Sequence, residues 1–419
     1  MHTLTATPTL TLDVLRQAID HRAAALRRIA NLQPVAGEGT KVYPATYQGG
    51  VYAEETRVID GQSVKCVLLD SVQSQANRME LVLLEAARAG EVKIPLVTVQ
   101  IQDPQQRVPT STVSSLEAPH RLADAILRDS LTEDGTPFRR SPAGRVLDTA
   151  TPANARELFG RCPTALLWGM WDSTGPRGGS GTKFARAMVS EMVAVGIEKG
   201  VHTSSRLPPG HISSKTAVYE TDPSKPENKG QAYTTNRDLA LYAADKPKPF
   251  KGSKGGKPSN AGHGNFPPSV DKEKLGGVTM QYAQQTTVIS LAGLRKLRFP
   301  EADHAAATPE VNAAAQVTLA ALGLLAATLS QEDGLDLRSR CQLVPSAAHT
   351  WELVGAHSGD VAHFVLTRDT ALALFRQAVA AATEVGLPWY EELHLHANQT
   401  LLDMLAEGEG VDDDASAAE

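Results

Sequence analysis

The chain has 419 residues, 42% of them hydrophobic, and a net charge of −6, enough apolar material for a large core or for two to three domains. The acidic balance rules out a global basic signature for nucleic acid, although binding follows where charge sits rather than its sum. Cys66, Cys162 and Cys341 lie far apart with no CxxC pair, which argues against a disulfide framework and suits a reducing cytoplasm.

In chain order, the first segment carries no basic stretch followed by an apolar core, so no signal peptide is expected. Residues 10–30 have helical spacing, with Leu15, Ile19, Ala23, Leu26 and Ile29 on one face. A short strand follows to about 34, then a strand over 63–71, a strong helix over 71–90 and a strand over 92–101. Residues 104–118 are rich in turn formers, 118–130 read as a short helix, and 132–145 as a loop. A helix is expected near 154–159, a buried strand over 165–171, and a helix over 183–195.

Residues 206–277 are dominated by Pro, Gly, Lys, Ser and Asn, and 246–257 carries five lysines and no acid. Between Ser204 and Arg298, fifteen Lys/Arg stand against seven Asp/Glu. A run this long without an element pattern is functional or disordered. Strand spacing returns over 277–294, and strong helices are expected over 310–330 and 369–385, with strand-like sequence between them. The most apolar run, 311–329, contains Gln and Thr and reads as a buried helix, not a membrane span. The end, 406–419, is an acidic tail expected to be disordered. No βαβ cadence is present, which favours α+β over a doubly wound sheet.

The stretch 173–187, STGPRGGSGTKFARA, is expected to join strand to helix. A nucleotide-binding P-loop needs lysine directly after its last glycine and a hydroxyl residue next; here Thr182 separates Gly181 from Lys183. The remaining logic still suits a phosphate. Gly178, Gly179 and Gly181 permit close backbone approach, a helix start favours an anion, and Arg177, Lys183 and Arg186 supply charge. A phosphodiester fits as well as a small phosphorylated ligand. Elsewhere, His120 and Asp124 have i, i+4 spacing but no second pair, and no metal site is expected. Trp168 and Trp171 fall on opposite parities, so at least one belongs to the core. Tyr43, Tyr47 and Tyr52 flank Lys41, where aromatics beside a cation can stack bases. Lys251 and Lys254 lie in the lysine run, a candidate phosphate-binding arm.

Four segments together, 71–80, 120–130, 165–197 and 200–212, with 337–345 in support, resemble the RAMP-superfamily backbone subunit, a Cas-seven-like protein, of type I-U (also called I-G) CRISPR Cascade complexes. The resemblance implies an α+β fold with an RRM-like (ferredoxin-like) palm and large finger and thumb insertions. It places palm strands at 28–34, 93–101, 165–171 and 342–344, and packing helices at 72–89 and 310–330. The implied layout is a palm over 1–101, a finger-like insertion over 102–160, palm and glycine loop over 161–205, a thumb-like insertion over 206–277, and the rest of the palm over 278–405. The implied partners are crRNA, target DNA, further copies of the chain and other Cascade subunits, in the cytoplasm, with no membrane and no cofactor. RNA contacts are then expected from Lys41, Asn77, Arg78, Arg121, the 177–186 loop, Ser204, Ser205 and Arg206. No catalysis is expected. The alternatives are an enzyme using the glycine loop for a phosphorylated ligand, and a target-RNA nuclease using Glu38.

Overall fold

The computed structural model describes residues 7–173, 175, 181–207, 210, 218–220, 233–235, 266–271, 274–301, 306–357 and 359–415. They form two compact units: Met1–Thr46, Tyr52–Ile197 and Met280–Glu419 make the first, Tyr47–Val51 and Glu198–Thr279 the second.

The first unit opens with helix α1 (Leu12–Asp20), capped by Thr11, and strand β1 (Ala25–Pro34). The single helix expected over 10–30 therefore ends early. Arg22 turns the chain at φ +59°, and from there burial alternates, with Leu26, Arg28, Ala30 and Leu32 inward. Leu26 and Ile29, three residues apart, fit a helical face but fall on opposite faces of a strand, and Ile29 is 40% exposed. Strands β2 (Glu54–Ile59) and β3 (Gln62–Asp70) form a hairpin. Its turn, Asp60-Gly61, has positive φ at both residues, the geometry this dipeptide favours. Helix α2 (Val72–Arg88) follows, with the Ser71 hydroxyl accepting from the Ser74 amide at 3.2 Å.

The remaining main elements are β4 (Met188–Val195), β5 (Tyr282–Ser290), α3 (Pro309–Glu332), β6 (Leu335–Arg338), β7 (Cys341–Pro345), β8 (Trp351–Val354), β9 (Val361–Phe364) and α4 (Arg368–Glu384). They build one antiparallel sheet in the order β6-β7-β1-β5-β4-β3-β2. β8 pairs with the start of β1, and β9 with β8. The register sets Arg28 opposite Thr287, and Thr287 opposite Ser190. Helices α2 and α3 cover this face of the sheet: Ser190 donates to Gln75 of α2 at 3.0 Å, and Arg28 to the Ala327 carbonyl of α3 at 3.4 Å. α4 packs on α3, whose Thr318 hydroxyl reaches the Ala378 carbonyl at 3.1 Å. α3 is long and apolar enough to cross a membrane, yet 89% of its apolar window is buried within the protein. It is the core helix.

The sequence misplaces two elements around the glycine loop. The strand expected over 165–171 is a helix, Pro163–Trp168, followed by a two-residue strand, Met170–Trp171. All six residues of that helix are buried, and an apolar run buried on every side carries no period. The helix expected over 183–195 is a short strand, Lys183–Phe184, and then β4. The strand expected over 92–101 forms as Val97–Ile101, but in a separate sheet with Ser111–Ser114, Leu393–Ala397 and Ser130–Leu131. A helix, Gln399–Ala415, runs into the segment read as an acidic tail.

The described part of the second unit consists of antiparallel ribbons. Glu198–Lys199 pairs with Val278–Thr279, His202–Arg206 with Phe266–Asp271, and Val218–Glu220 with Tyr233–Thr235.

A polar chain runs through the core beneath the sheet. Asp70, 2% exposed, accepts from Ser74 at 2.8 Å, Gln75 at 2.6 Å and Arg78 at 3.0 Å, and lies 3.4 Å from Arg338. Gln75 receives Gln285 at 2.9 Å, and Gln285 receives Arg28 at 3.4 Å. Burial lowers Arg28 to about 10; its guanidinium lies 5.0 Å from the Trp351 ring. Removing one member of a buried charge pair strands its partners. Asp70→Ala is expected to cost roughly 3–5 kcal/mol, read as a lower urea midpoint at unchanged slope.

Candidate nucleic-acid interface

The short strands on either side of the glycine stretch pair antiparallel with each other. Lys183 pairs across from Trp171, and Phe184 from Met170. The base of the loop is anchored inside the protein. Asp172 donates its amide to Thr182 at 2.9 Å, and the Thr182 hydroxyl donates to the Leu147 carbonyl at 2.5 Å. The Asp172 carboxylate, buried, receives Arg139 at 2.6 Å, and Arg139 also reaches Asp148 at 2.9 Å. Gly175 lies against this pair: a Cβ there would collide with the Asp172 carboxylate and come within 2.8 Å of the Arg139 guanidinium. That glycine serves the anchor.

Because a strand follows the loop, the helix N-terminus invoked for a phosphate is not present, and Lys183 and Arg186 do not share a helical face. They meet in another way. A cleft of about 550 Å³ is lined by Gln73 and Asn77 of α2, His120, Arg121, Trp171, Lys183 and Arg186. Lys183 and Arg186 are exposed. Trp171 is 49% exposed, whereas Trp168 is buried. The Lys183 ammonium lies 5.3 Å from the Trp171 ring centroid, and Arg186 donates to Gln73 at 2.6 Å. Positive charge, amides and an open indole in one concavity are the means by which proteins hold single-stranded nucleic acid.

Four residues singled out by sequence therefore converge here: Asn77, Arg121, Lys183 and Arg186. Arg121 corrects its expected role. It is 4% exposed and makes a two-point pair with Glu80, Nε to Oε1 and Nη2 to Oε2 both at 2.7 Å, while Nη1 donates to the Gly169 carbonyl at 2.9 Å. Burial pushes the Glu80 carboxyl up to about 7, with the Arg121 charge pulling the other way. Arg121 is the floor of the cleft, not a phosphate ligand. Gly169 has φ +82°, and a side chain there would approach the Phe184 carbonyl at 2.9 Å, so its lack of one keeps the paired strands against that floor.

Arg78 is likewise committed elsewhere. Besides Asp70 it reaches the Leu337 carbonyl at 2.5 Å, fastening α2 to β6. Lys41 lines a different recess, with Asp336 and Arg340, and beside it Tyr43 is stacked by Arg340 at 4.2 Å. Gly181 sits two residues before Lys183, at the end of the loop. Ser204, Ser205 and Arg206 are exposed on a ribbon of the second unit, where Ser204 and Ser269 hydroxyls lie 3.1 Å apart. Arg177, Gly178, Gly179, Lys251 and Lys254 lie outside the described residues. Asp124 caps the short helix Ala125–Arg128 and accepts the His120 amide at 3.0 Å. Among the described residues no group of three or more His, Cys, Asp or Glu is arranged to hold a metal.

The sequence reading did not assign Trp171, Gln73 or His120 to the site. The signal for Trp171 was its position two residues before the glycine stretch begins, on the parity opposite a core tryptophan. Gln73 stands one helical turn from Asn77, a spacing visible once α2 is accepted.

Residues 26–199 match the profile of a family described as CRISPR-associated protein GSU0053. The match covers less than half of the chain and includes every residue named in the cleft. No curated protein matches. Among solved structures, the chain is similar to Csc2 of Thermofilum pendens, at 11% identity over 99% of this chain and 83% of that one, with a TM-score of 0.23; so slight an overlap carries no argument.

If Arg121 is a floor residue, Arg121→Ala lowers stability before it touches any ligand. A loss of roughly 3–5 kcal/mol is expected, because Glu80 is left buried without its counter-charge. Chemical denaturation without nucleic acid reads it; an unchanged midpoint would return Arg121 to the ligand set.

Proposed function

We propose that this chain is a backbone subunit of a type I-U/I-G CRISPR surveillance complex, which grips crRNA by its phosphates and leaves sequence reading to base pairing. The observation that carries the reading is the cleft: exposed Lys183 and Arg186 beside the half-exposed Trp171, inside the segment that matches a CRISPR-associated family. A net charge of −6 is compatible with this, since only the groove must be basic.

The finer fold reading is an RRM-like palm. It is supported, with β4 and β5 in place of the strands expected at 93–101 and 165–171, by the order β7-β1-β5-β4 with α2 crossing between β1 and β4 and α3 between β5 and β7. In this reading the 102–160 insertion acts as a finger and 206–277 as a thumb. Several copies line one guide in the cytoplasm and present it to target DNA beside other Cascade subunits. We assign the subunit no catalytic step. The cleft supplies charge and hydrogen-bond donors for holding a phosphodiester; none of the residues lining it is a carboxylate, and Glu80, beneath it, is bound up with Arg121.

Lys183→Ala with Arg186→Ala tests the groove. Binding to guide RNA should weaken about tenfold, equally for unrelated guide sequences, and the slope of log affinity against log salt should fall by about 1.4. Filter binding across a salt series measures both. Unchanged affinity and slope would place the groove elsewhere.

A further inference from the structure

Arg78, Arg121 and Arg139 each end on a buried carboxylate, of Asp70, Glu80 and Asp172 respectively. Arg186 ends on an amide instead. Its Nη2 donates to Gln73 Oε1 at 2.6 Å, an uncharged acceptor. The amide is itself held, because Gln73 Nε2 donates to Asn77 Oδ1 at 3.1 Å, one helical turn along α2. An arginine can only donate, so the two contacts agree on which way the Gln73 amide points.

The helix beneath this relay is fixed. Ser71 caps its start, and Gln75, two residues past Gln73, is tied to Asp70 at 2.6 Å and to Gln285 at 2.9 Å. The stem of Arg186 is placed as well. A Cβ on Gly169 would stand 3.1 Å from its Cγ, so the glycine lets the stem lie close. An exposed arginine otherwise samples many rotamers, and binding must freeze them. Here head and stem are set before a ligand arrives. A carboxylate in place of Gln73 would hold the guanidinium more strongly, but it would offset the charge that a phosphate needs. Gln73 takes one of five N–H groups, which leaves enough for a two-point grip on a phosphate.

We propose that Gln73 is the positioning residue of the cleft, holding Arg186 in place for a backbone phosphate without cancelling its charge. The proposal rests on the RNA reading of the cleft and, like that reading, is indifferent to base identity.

The test uses the full chain and a labelled oligo(U), with fluorescence anisotropy read across a salt series. Gln73→Leu should weaken binding about threefold and leave the salt slope unchanged, because Arg186 keeps its charge. Gln73→Glu should lower the slope by about 0.7, the share of one phosphate contact on a single strand. In an Arg186→Ala background, Gln73→Leu should have no further effect. A loss that persists in that background means that Gln73 touches RNA itself or supports the fold, and it overturns the proposal. So does a Gln73→Leu protein that binds like wild type, or a Gln73→Glu protein that keeps the wild-type slope. If Lys183→Ala/Arg186→Ala weakens binding in any of those cases, the phosphate groove stands without the positioning residue. If wild type does not bind oligo(U), the RNA reading falls together with the proposal.

Discussion

The pairing of Glu80 with Arg121 is the contact on which the candidate site depends. It joins α2, which belongs to the central sheet layer, to the insertion between α2 and β4, and through the Gly169 carbonyl to the paired strands on either side of the glycine stretch. Both side chains are almost fully buried. Such a pair is costly to desolvate and is weak evidence for stability in itself, but its two-point geometry sets direction as well as distance. Arg121 adopts φ +53° to make it, a conformation unfavourable for a side-chain-bearing residue. The strain sits beside the cleft and is offset by three charge-assisted hydrogen bonds.

The second organising device is the polar chain from Arg28 to Asp70 under the sheet. Helices covering a sheet could slide by a turn if only apolar contacts held them. Gln75, Ser190, Thr287 and Gln285 meet at 2.9–3.0 Å across α2, β4 and β5, and a shift by one turn would leave several of these groups unpaired. The arrangement trades easily made burial for a single register. Because Gln73 and Asn77 ride on the same helix as Gln75, that register also sets where the cleft's amides stand.

Much of the central layer was legible in the sequence. Helices α2, α3 and α4 announced themselves by long amphipathic or wholly apolar runs, and β3, β5 and β7 by strand-like spacing. At 165–171 the chain is apolar, and buried on every side as far as Met170, so neither period is written in it; at 183–195 the polar Lys183, Arg186, Ser190 and Glu191 are spaced well for a helix, and the glycines before them were read as the start of a helix where a strand follows. At 10–30 a helical face could be drawn from Leu15 to Ile29, but the helix ends at Asp20 and the strand after it puts Leu26 and Ile29 on opposite faces. For the site, residue type identified Lys183 and Arg186, but it could not separate them from Arg121 and Arg78. A guanidinium looks the same in sequence whether it meets a phosphate or a buried carboxylate; only the partners Glu80 and Asp70, 41 and 8 residues away, tell them apart.

The longer stretch of the second unit, Glu198–Thr279, is entered and left at adjacent points of the first. The chain leaves β4 after Val195 and returns to β5 at Tyr282, and the Gln281 amide closes on the Val195 carbonyl at 3.0 Å. In topological terms β4 and β5 are an ordinary hairpin whose turn has been replaced by a whole folding unit. Closing a longer loop costs only about 0.6 kcal/mol per doubling of its length, so the sheet is nearly indifferent to how much chain is looped out there. Gly196, at φ +64° and crowded by Gln281, stands at the start of that loop, against the residue where it ends. What lies beyond it can lengthen, shorten or change composition while the register of the two strands stays fixed, which makes this junction the place where such a scaffold could acquire or exchange its lysine-rich appendage without being redesigned.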